Sequence, residues 1–248
     1  MSDIHGKIET FKETLGLVDL CDNNNKLVLL GDYVGRKGDQ TEILLLIKSL
    51  MECHKEQVIV LMGNHEFNLL ESKEMEDEWK SWESQGLYET IGPSFDSPDR
   101  VSLISKEKNG ILSWLSTLPY YYETKQQIYV HAGIEESAGK HWKLAAEDYY
   151  FCQKYPPTIG TFKKDIIAGH VSAKKIFDWC RLNRVPDIHY DSGIFWDGLN
   201  HFFIDGKTEV TNNIPVLKYN TNTGVYSSFR KTAPVDKHSV WEEYVIKP

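Results

Sequence analysis

Five times along this chain a short aliphatic run stops at a glycine or at a residue type able to hold a metal or a proton. That recurrence constrains the fold more than any other feature. Lys26-Leu27-Val28-Leu29-Leu30 runs into Gly31-Asp32, and Gln57-Val58-Ile59-Val60-Leu61-Met62 into Gly63-Asn64-His65-Glu66. Gln127-Ile128-Tyr129-Val130 precedes His131-Ala132-Gly133, and Asp165-Ile166-Ile167-Ala168 precedes Gly169-His170. Ile188-His189-Tyr190 leads into Asp191-Ser192-Gly193. Continuous β-branched and aliphatic runs of this length suit central strands covered on both faces.

Helical patterns separate the first strands. Ile8 to Leu15, ended near Gly16, is one; Gln40 to Met51 is another, with Asp39 as its cap and Ile43, Leu44, Ile47 and Leu50 on one face. Strand–helix alternation predicts an α/β core, in which ligands gather beyond the carboxyl ends of the strands. The middle of the chain reads differently. A charged, Trp-bearing stretch over Glu71–Gln85, a Gly/Pro/Ser loop at 92–98 and a helix from Asn109 to Leu118 predict a helical cap at about 67–126, inserted into a single domain spanning 1–248. A β-rich tail follows at His201–Ile204, Val216–Tyr219 and Gly224–Phe229.

Charge narrows the partners. Lys and Arg number 28 against 36 Asp and Glu, a net −8, which argues against a nucleic-acid polymer as ligand because such binders need a basic face. A small anionic substrate stays compatible, since bound metals reverse the local sign. The four cysteines (Cys21, Cys53, Cys152, Cys180) form no C-x-x-C pair and read as free thiols. No apolar stretch approaches the ~20 residues needed to span a bilayer, and Met1-Ser2-Asp3 opens no signal-like segment. The expectation is a cytoplasmic protein without a membrane partner.

Taken singly, each strand-end residue has an ordinary explanation: a Gly-Asp turn, an Asn turn, a hydrogen-bonded histidine. Recurrence changes the reading. Asp3, His5, Asp32, Asn64, His65, His131 and His170 all sit at strand ends or at the chain start. Mixed carboxylate and imidazole donors suit manganese, iron or zinc better than calcium, and one carboxylate can bridge two ions. His54, His141, His201 and His238 lie outside these contexts and read as structural.

In their order, Ser2-Asp3-Ile4-His5-Gly6, Gly31-Asp32-Tyr33-Val34-Gly35-Arg36, Gly63-Asn64-His65-Glu66, His131-Ala132-Gly133 and Gly169-His170 resemble the motifs of calcineurin-like metallophosphoesterases. Within that superfamily the chain is similar to the bacterial and phage serine/threonine protein phosphatases and to the symmetrical diadenosine tetraphosphatases. The resemblance implies a β-sandwich of two sheets flanked by helices, and two divalent ions, manganese first, with iron or zinc as alternatives. It also implies roles. Asp3 and His5 hold the first ion, Asp32 bridges, and Asn64, His131 and His170 hold the second. Arg36 grips phosphate oxygens, and His65 protonates the leaving group; Arg36, Asn64 and His65 together face the substrate. The activity implied is hydrolysis of phosphate esters by metal-activated hydroxide, as in serine/threonine phosphatases acting on a phosphoprotein or small phosphoester. Hydrolysis of a dinucleoside polyphosphate is the alternative, and a non-catalytic phosphoanion-binding protein a further one.

Three departures qualify the resemblance. The family motif Gly-Asp-x-Val-Asp-Arg-Gly has a second Asp where this chain has Gly35, which removes the carboxylate that pairs with the acid histidine in protein phosphatases. The symmetrical diadenosine tetraphosphatases also lack it. Val171 follows Gly169-His170 where protein phosphatases carry Thr, and no second phosphate-gripping Arg is evident between His141 and Tyr155. Finally, only Met1-Ser2 precede Asp3, where the family has a central strand, so the first metal site is expected to lack its usual support unless the chain is truncated.

Overall fold

Alternating burial along the strands sets the layers. The computed structural model describes residues 1–35, 40–71, 110–235 and 238–247. After helix α1 (Ile8–Leu15), strand β1 (Leu27–Leu29) pairs in parallel with β2 (Val58–Val60) across helix α2 (Thr41–Cys53). Leu27, Leu29, Val58 and Val60 pack with Phe11 of α1 and with Ile43, Leu44 and Ile47 of α2, the face predicted from the sequence. Burying each such side chain contributes roughly 1.5–3 kcal/mol. Val28 and Ile59 point the other way, into an inter-sheet core.

A helix, α3, starts at 64 and is described through 71. Then follow α4 (Ile111–Leu115), β3 (Tyr121–Glu123), β4 (Gln127–Val130), a 3-10 segment over Glu136–Leu144 and α5 (Asp148–Gln153). Next come β5 (Asp165–Ser172), α6 (Ala173–Leu182), β6 (His189–Asp191), β7 (Ile194–Trp196), β8 (His201–Asp205) and the short α7 (Thr208–Thr211). Strands β3 to β8 form one sheet in the order β3-β4-β5-β8-β7-β6. One face of that sheet (Ile128, Val130, Ile166, Ala168, Phe195, Phe203) packs with Ile176 and Cys180 of α6. The opposite face (Ile167, Ile194, Phe202, Ile204) meets Leu30 and Leu61, just beyond β1 and β2. Strands β9 (Leu217–Tyr219), β10 (Tyr226–Val235) and β11 (His238–Lys247) pair antiparallel, and Leu217, Tyr219, Tyr226 and Ile246 join the inter-sheet core. The result is helices, two facing β layers, then helices, the sandwich that the motifs implied. One of those layers is supplied by two separate sheets among the described residues.

Several sequence expectations shift. Strand β5 runs through Gly169-His170 to Ser172, with a register break between Ala168 and Ser172, so His170 sits in a bulge rather than past the strand. The 188–190 run is not a central strand: β6 is a sheet edge, joined to β7 by an antiparallel hairpin turning at Ser192-Gly193. Asp39 lies outside the described residues, and Gln40 takes the cap position of α2 without a capping side-chain bond. Of the stretch expected to form a cap at 67–126, residues 72–109 lie outside the described residues. Ile111, Leu112, Trp114 and Leu115 belong to the α1/α2 core and β3 to the large sheet. Met1 lies beside β1, with Met1 N donating to Val28 O and Leu30 N to Met1 O, so the first site has main-chain support.

His201 is held between two carboxylates. Its ring is buried, with Nδ1 2.9 Å from Gly160 O and 3.2 Å from Asp197 Oδ2, and Nε2 3.6 Å from Glu136 Oε1. Lys154 closes the chain by donating to Glu136 and to Ile134 O. Burial alone would lower the imidazole pKa, but the Asp197 and Glu136 carboxylates overcome it and push it up to about 9. Because the folded value exceeds the ordinary ~6.5, this charge stabilises the fold fully below about pH 6.5, and that contribution is lost as pH rises through about 9. At most it amounts to about 3 kcal/mol. Chemical denaturation of wild type and His201→Gln between pH 6 and 10 checks this. The stability gap between them should close toward pH 10, and a gap that stays flat removes the assignment.

Candidate metal centre

Main-chain hydrogen bonds bring the ligand-bearing loops together in pairs. Asp3 N, His5 N and Gly6 N donate to the carbonyls of Gly31, Asp32 and Tyr33 at 3.1, 3.0 and 2.7 Å, joining the first two loops. Gly169 N donates to His131 O at 2.7 Å, joining the last two. Asn64 and His65 arrive on the first turn of α3, where His65 N donates to Asp32 Oδ1 at 3.0 Å. Asp3, His5, Asp32 and His170 all adopt left-handed backbone, φ +54, +48, +57 and +63°. For non-glycine residues that conformation costs energy and survives where surrounding structure enforces it, as at functional sites.

Asp32 is the hub. His131 Nε2 lies 3.3 Å from its Oδ1, while His5 Nε2 and His65 Nε2 lie 3.9 and 3.8 Å from its Oδ2. His5 Nε2 is also 3.9 Å from Asp3 Oδ1. Two overlapping donor triads share Asp32, namely His5-Asp32-His65 and Asp3-Asp32-His131. The far nitrogens of two rings are tied to carbonyls: His131 Nδ1 to Leu30 O at 3.0 Å and His5 Nδ1 to Val34 O at 3.3 Å. That anchoring is how metal-ligating imidazoles are oriented.

Electrostatics points the same way. Burial, then the negative charge of Asp205, holds Asp3 well above the usual carboxylate range; burial, then Glu66 and Asp3, does the same for Asp32. Burial and neighbouring His170 push His131 well down, and burial lowers His170. Neutral imidazoles and repelling carboxylates therefore converge. Asn64 Oδ1 stands 3.0 Å from both His131 Nε2 and His170 Nδ1. Turned over, the amide nitrogen would donate to both and to the two Asp32 oxygens at 3.1 and 3.2 Å. With the amide oxygen facing them, acceptors crowd one point and call for positive charge there. This donor set fits divalent cations.

Six of the expected ligands, together with His65, therefore converge; Arg36 lies outside the described residues. Two further buried carboxylates join them, Glu66 of the His65 motif and Asp205 of the tail. Asp205, at the carboxyl end of β8 and opposite Ser172 of β5, acts electrostatically on both Asp3 and Asp32. Its signal was the familiar one, an apolar run followed by Asp-Gly. Glu66 is fully buried and accepts the main-chain N–H groups of Asp32, Tyr33 and Val34 at 2.8, 2.9 and 3.0 Å. Its carboxylate is thus committed to that loop and is not the partner of His65; the carboxylate beside His65 is Asp32. At Gly35 a Cβ would stand 2.9 Å from the carbonyl oxygen of His5, so the missing acidic side chain has no room without main-chain movement. A cavity of about 210 Å³ lined by Trp196, Tyr244 and neighbours in β6, β7 and β11 shares no residue with the centre.

Two facing β layers flanked by helices, with His, Asp and Asn donors converging on Asp32 near the strand ends, define an α/β metallohydrolase-type architecture. The calcineurin-like phosphoesterase model matches residues 1–174, and the chain belongs to that family, whose members use a pair of divalent ions. It is 34% identical over 140 residues to a symmetrical bis(5'-nucleosyl)-tetraphosphatase of Wigglesworthia glossinidia brevipalpis, covering 54% of this chain and 43% of that one. To the enzyme of the same name from Vibrio campbellii it is 30% identical over 139 residues, with 54% and 43% covered. The matches span less than half the length of these relatives. A protein serine/threonine phosphatase from Saccharomyces cerevisiae with similarity to human phosphatase PP5 shares the fold, with TM-score 0.50, 12% identity, and 98% of this chain and 78% of that chain covered.

Proposed function

We propose that this chain is a metal-dependent phosphoesterase, and the observation that carries the reading is the convergence of both donor triads on Asp32. Asp3, His5 and Asp32 would hold one ion, and Asp32, Asn64, His131 and His170 the other. Such a pair supplies Lewis acidity toward phosphate oxygen and a water acidic enough to ionise at neutral pH. Manganese is our choice of ion, given carboxylate, imidazole and amide oxygen together. His65, with Nε2 facing the centre beside Asp32, would deliver a proton to the departing oxygen. Arg36, placed by its motif alone, would hold the phosphate oxygens with its planar fork. Free thiols at all four cysteines agree with the cytoplasm as compartment, and no helix among the described residues is long and apolar enough to cross a membrane.

For the substrate we favour phosphoanhydrides of the dinucleoside polyphosphate type over phosphoserine. Two facts support this: the curated relatives are named for that activity, and Gly35 leaves no room for a second carboxylate near the acid. With glycine at that position, leaving groups that depart unaided should react best. A manganese-supplemented screen across an aryl phosphate, a phosphopeptide and diadenosine tetraphosphate, against chelator-stripped protein, tests both parts. Metal-dependent turnover is expected, ordered tetraphosphate and aryl phosphate above phosphoserine, with His65→Ala harming phosphoserine turnover most. Absence of turnover with every substrate would return the chain to a phosphoanion-binding role, and a phosphopeptide preference would reverse the substrate reading.

A further inference from the structure

The Glu66 carboxylate lies where no charged group should rest without cause, fully buried and one residue from the candidate acid. It receives three consecutive main-chain donors: Asp32 N at Oε2, and Tyr33 N and Val34 N at Oε1. In return, His65 N donates to Asp32 Oδ1. The loop after β1 and the first turn of α3 therefore clasp each other in both directions, through adjacent residues on each side. We infer that Glu66 is a positioning residue that fixes the bridging carboxylate Asp32 against Asn64 and His65, so that both metal positions form as one unit. The inference rests on the metal-centre reading above.

The physical case is one of donor and acceptor count. Asp32 holds a left-handed backbone at φ +57° that an aspartate leaves readily unless it is restrained. Three donors converging on one carboxylate form a concave anion nest, and the anion here comes from the protein itself. A glutamine at 66 has one acceptor oxygen and would turn its NH2 toward at least one of the three main-chain donors, opening that side of the clasp. Groups that orient ligands without touching the metal typically change metal affinity by about 10- to 100-fold when lost.

Calorimetric titration of manganese into metal-free wild type and Glu66→Gln reads this directly, alongside melting temperature and kcat and KM on an aryl phosphate. The expected result is affinity weakened by about 10- to 100-fold, kcat lowered more than KM is raised, and a folded variant. Equal manganese affinity in the two proteins overturns the inference while leaving the metal centre intact; failure of wild type to bind manganese overturns the metal-centre reading itself. If Glu66→Gln does not fold, Glu66→Asp, which keeps both oxygens but withdraws them by a methylene, undergoes the same titration with the same two outcomes. Amide exchange in metal-free wild type adds an arm without substitution: Asp32, Tyr33 and Val34 should be protected, and fast exchange at all three overturns the clasp.

Discussion

Asp32→Asn is expected to cut turnover by at least ~10³ and to lower bound metal, while the metal-free protein melts no earlier than wild type. The first part follows from position: Asp32 belongs to both donor triads, and an amide keeps its size but not the charge that would hold two cations. The second follows from its surroundings. Asp32 is buried beside Glu66 and Asp3, and without metal its charge is disfavoured by desolvation and by both neighbours. Removing that charge relieves the metal-free fold and abolishes the stabilisation that ion binding supplies. Metal analysis with thermal melts in chelator and in manganese separates the two. Loss of turnover with full metal content, or near-wild-type turnover in a folded variant, would remove Asp32 from the bridging position.

Local signals carried well from sequence to structure, and signals made by tertiary contact did not. The strand-end pattern located Asp32, Asn64 and His131 beyond β1, β2 and β4 because an apolar run and the turn after it are neighbours in the chain, whereas His170 lies within the bulged β5. The bounds of α1 and β4 matched for the same reason. Asp205 ends just such a run, Phe202-Phe203-Ile204, and is followed by Gly206. The role of Glu66 was out of reach, since its partners are main-chain amides more than thirty residues away and any buried carboxylate reads alike in sequence. The helical pattern of 110–118 is stopped by Pro119 and shows in sequence no link to its neighbours; only in three dimensions do Trp114 and Leu115 share a core cluster with Phe11 and Ile43. Strand β11 escaped because the sequence Trp241-Glu242-Glu243-Tyr244-Val245 is half polar, as suits a sheet edge with one wet face.

Gly63→Ala is expected to cost about 3 kcal/mol of stability, toward the upper end for an overpacked site, and to reduce turnover by ~10² or more. The added Cβ would stand 2.2 Å from Asp32 N, 2.5 Å from Asp32 Oδ1 and 2.6 Å from Glu66 Oε2. None of these atoms is the free end of a flexible side chain. Asp32 N is backbone, its Oδ1 is held by His65 N, and Glu66 Oε2 is held by Asp32 N. Retreat on the other side is closed as well, because Gly31 packs so near that its own Cβ would lie 2.5 Å from Gly63 Cα. The loops carrying Asp32 and Asn64 must therefore separate, and donors placed to within a few tenths of an ångström lose their common focus. For a chain of this size the melting temperature should fall by roughly 6–12 °C. Gly16→Ala serves as control: Gly16 caps α1 in helical conformation at φ −60°, its Cβ would meet only Glu13 O at 3.2 Å, and stability should change by less than about 1 kcal/mol. Should Gly63→Ala melt and turn over like the Gly16→Ala control, the close apposition of the Asp32 and Asn64 loops would not be a requirement of the site.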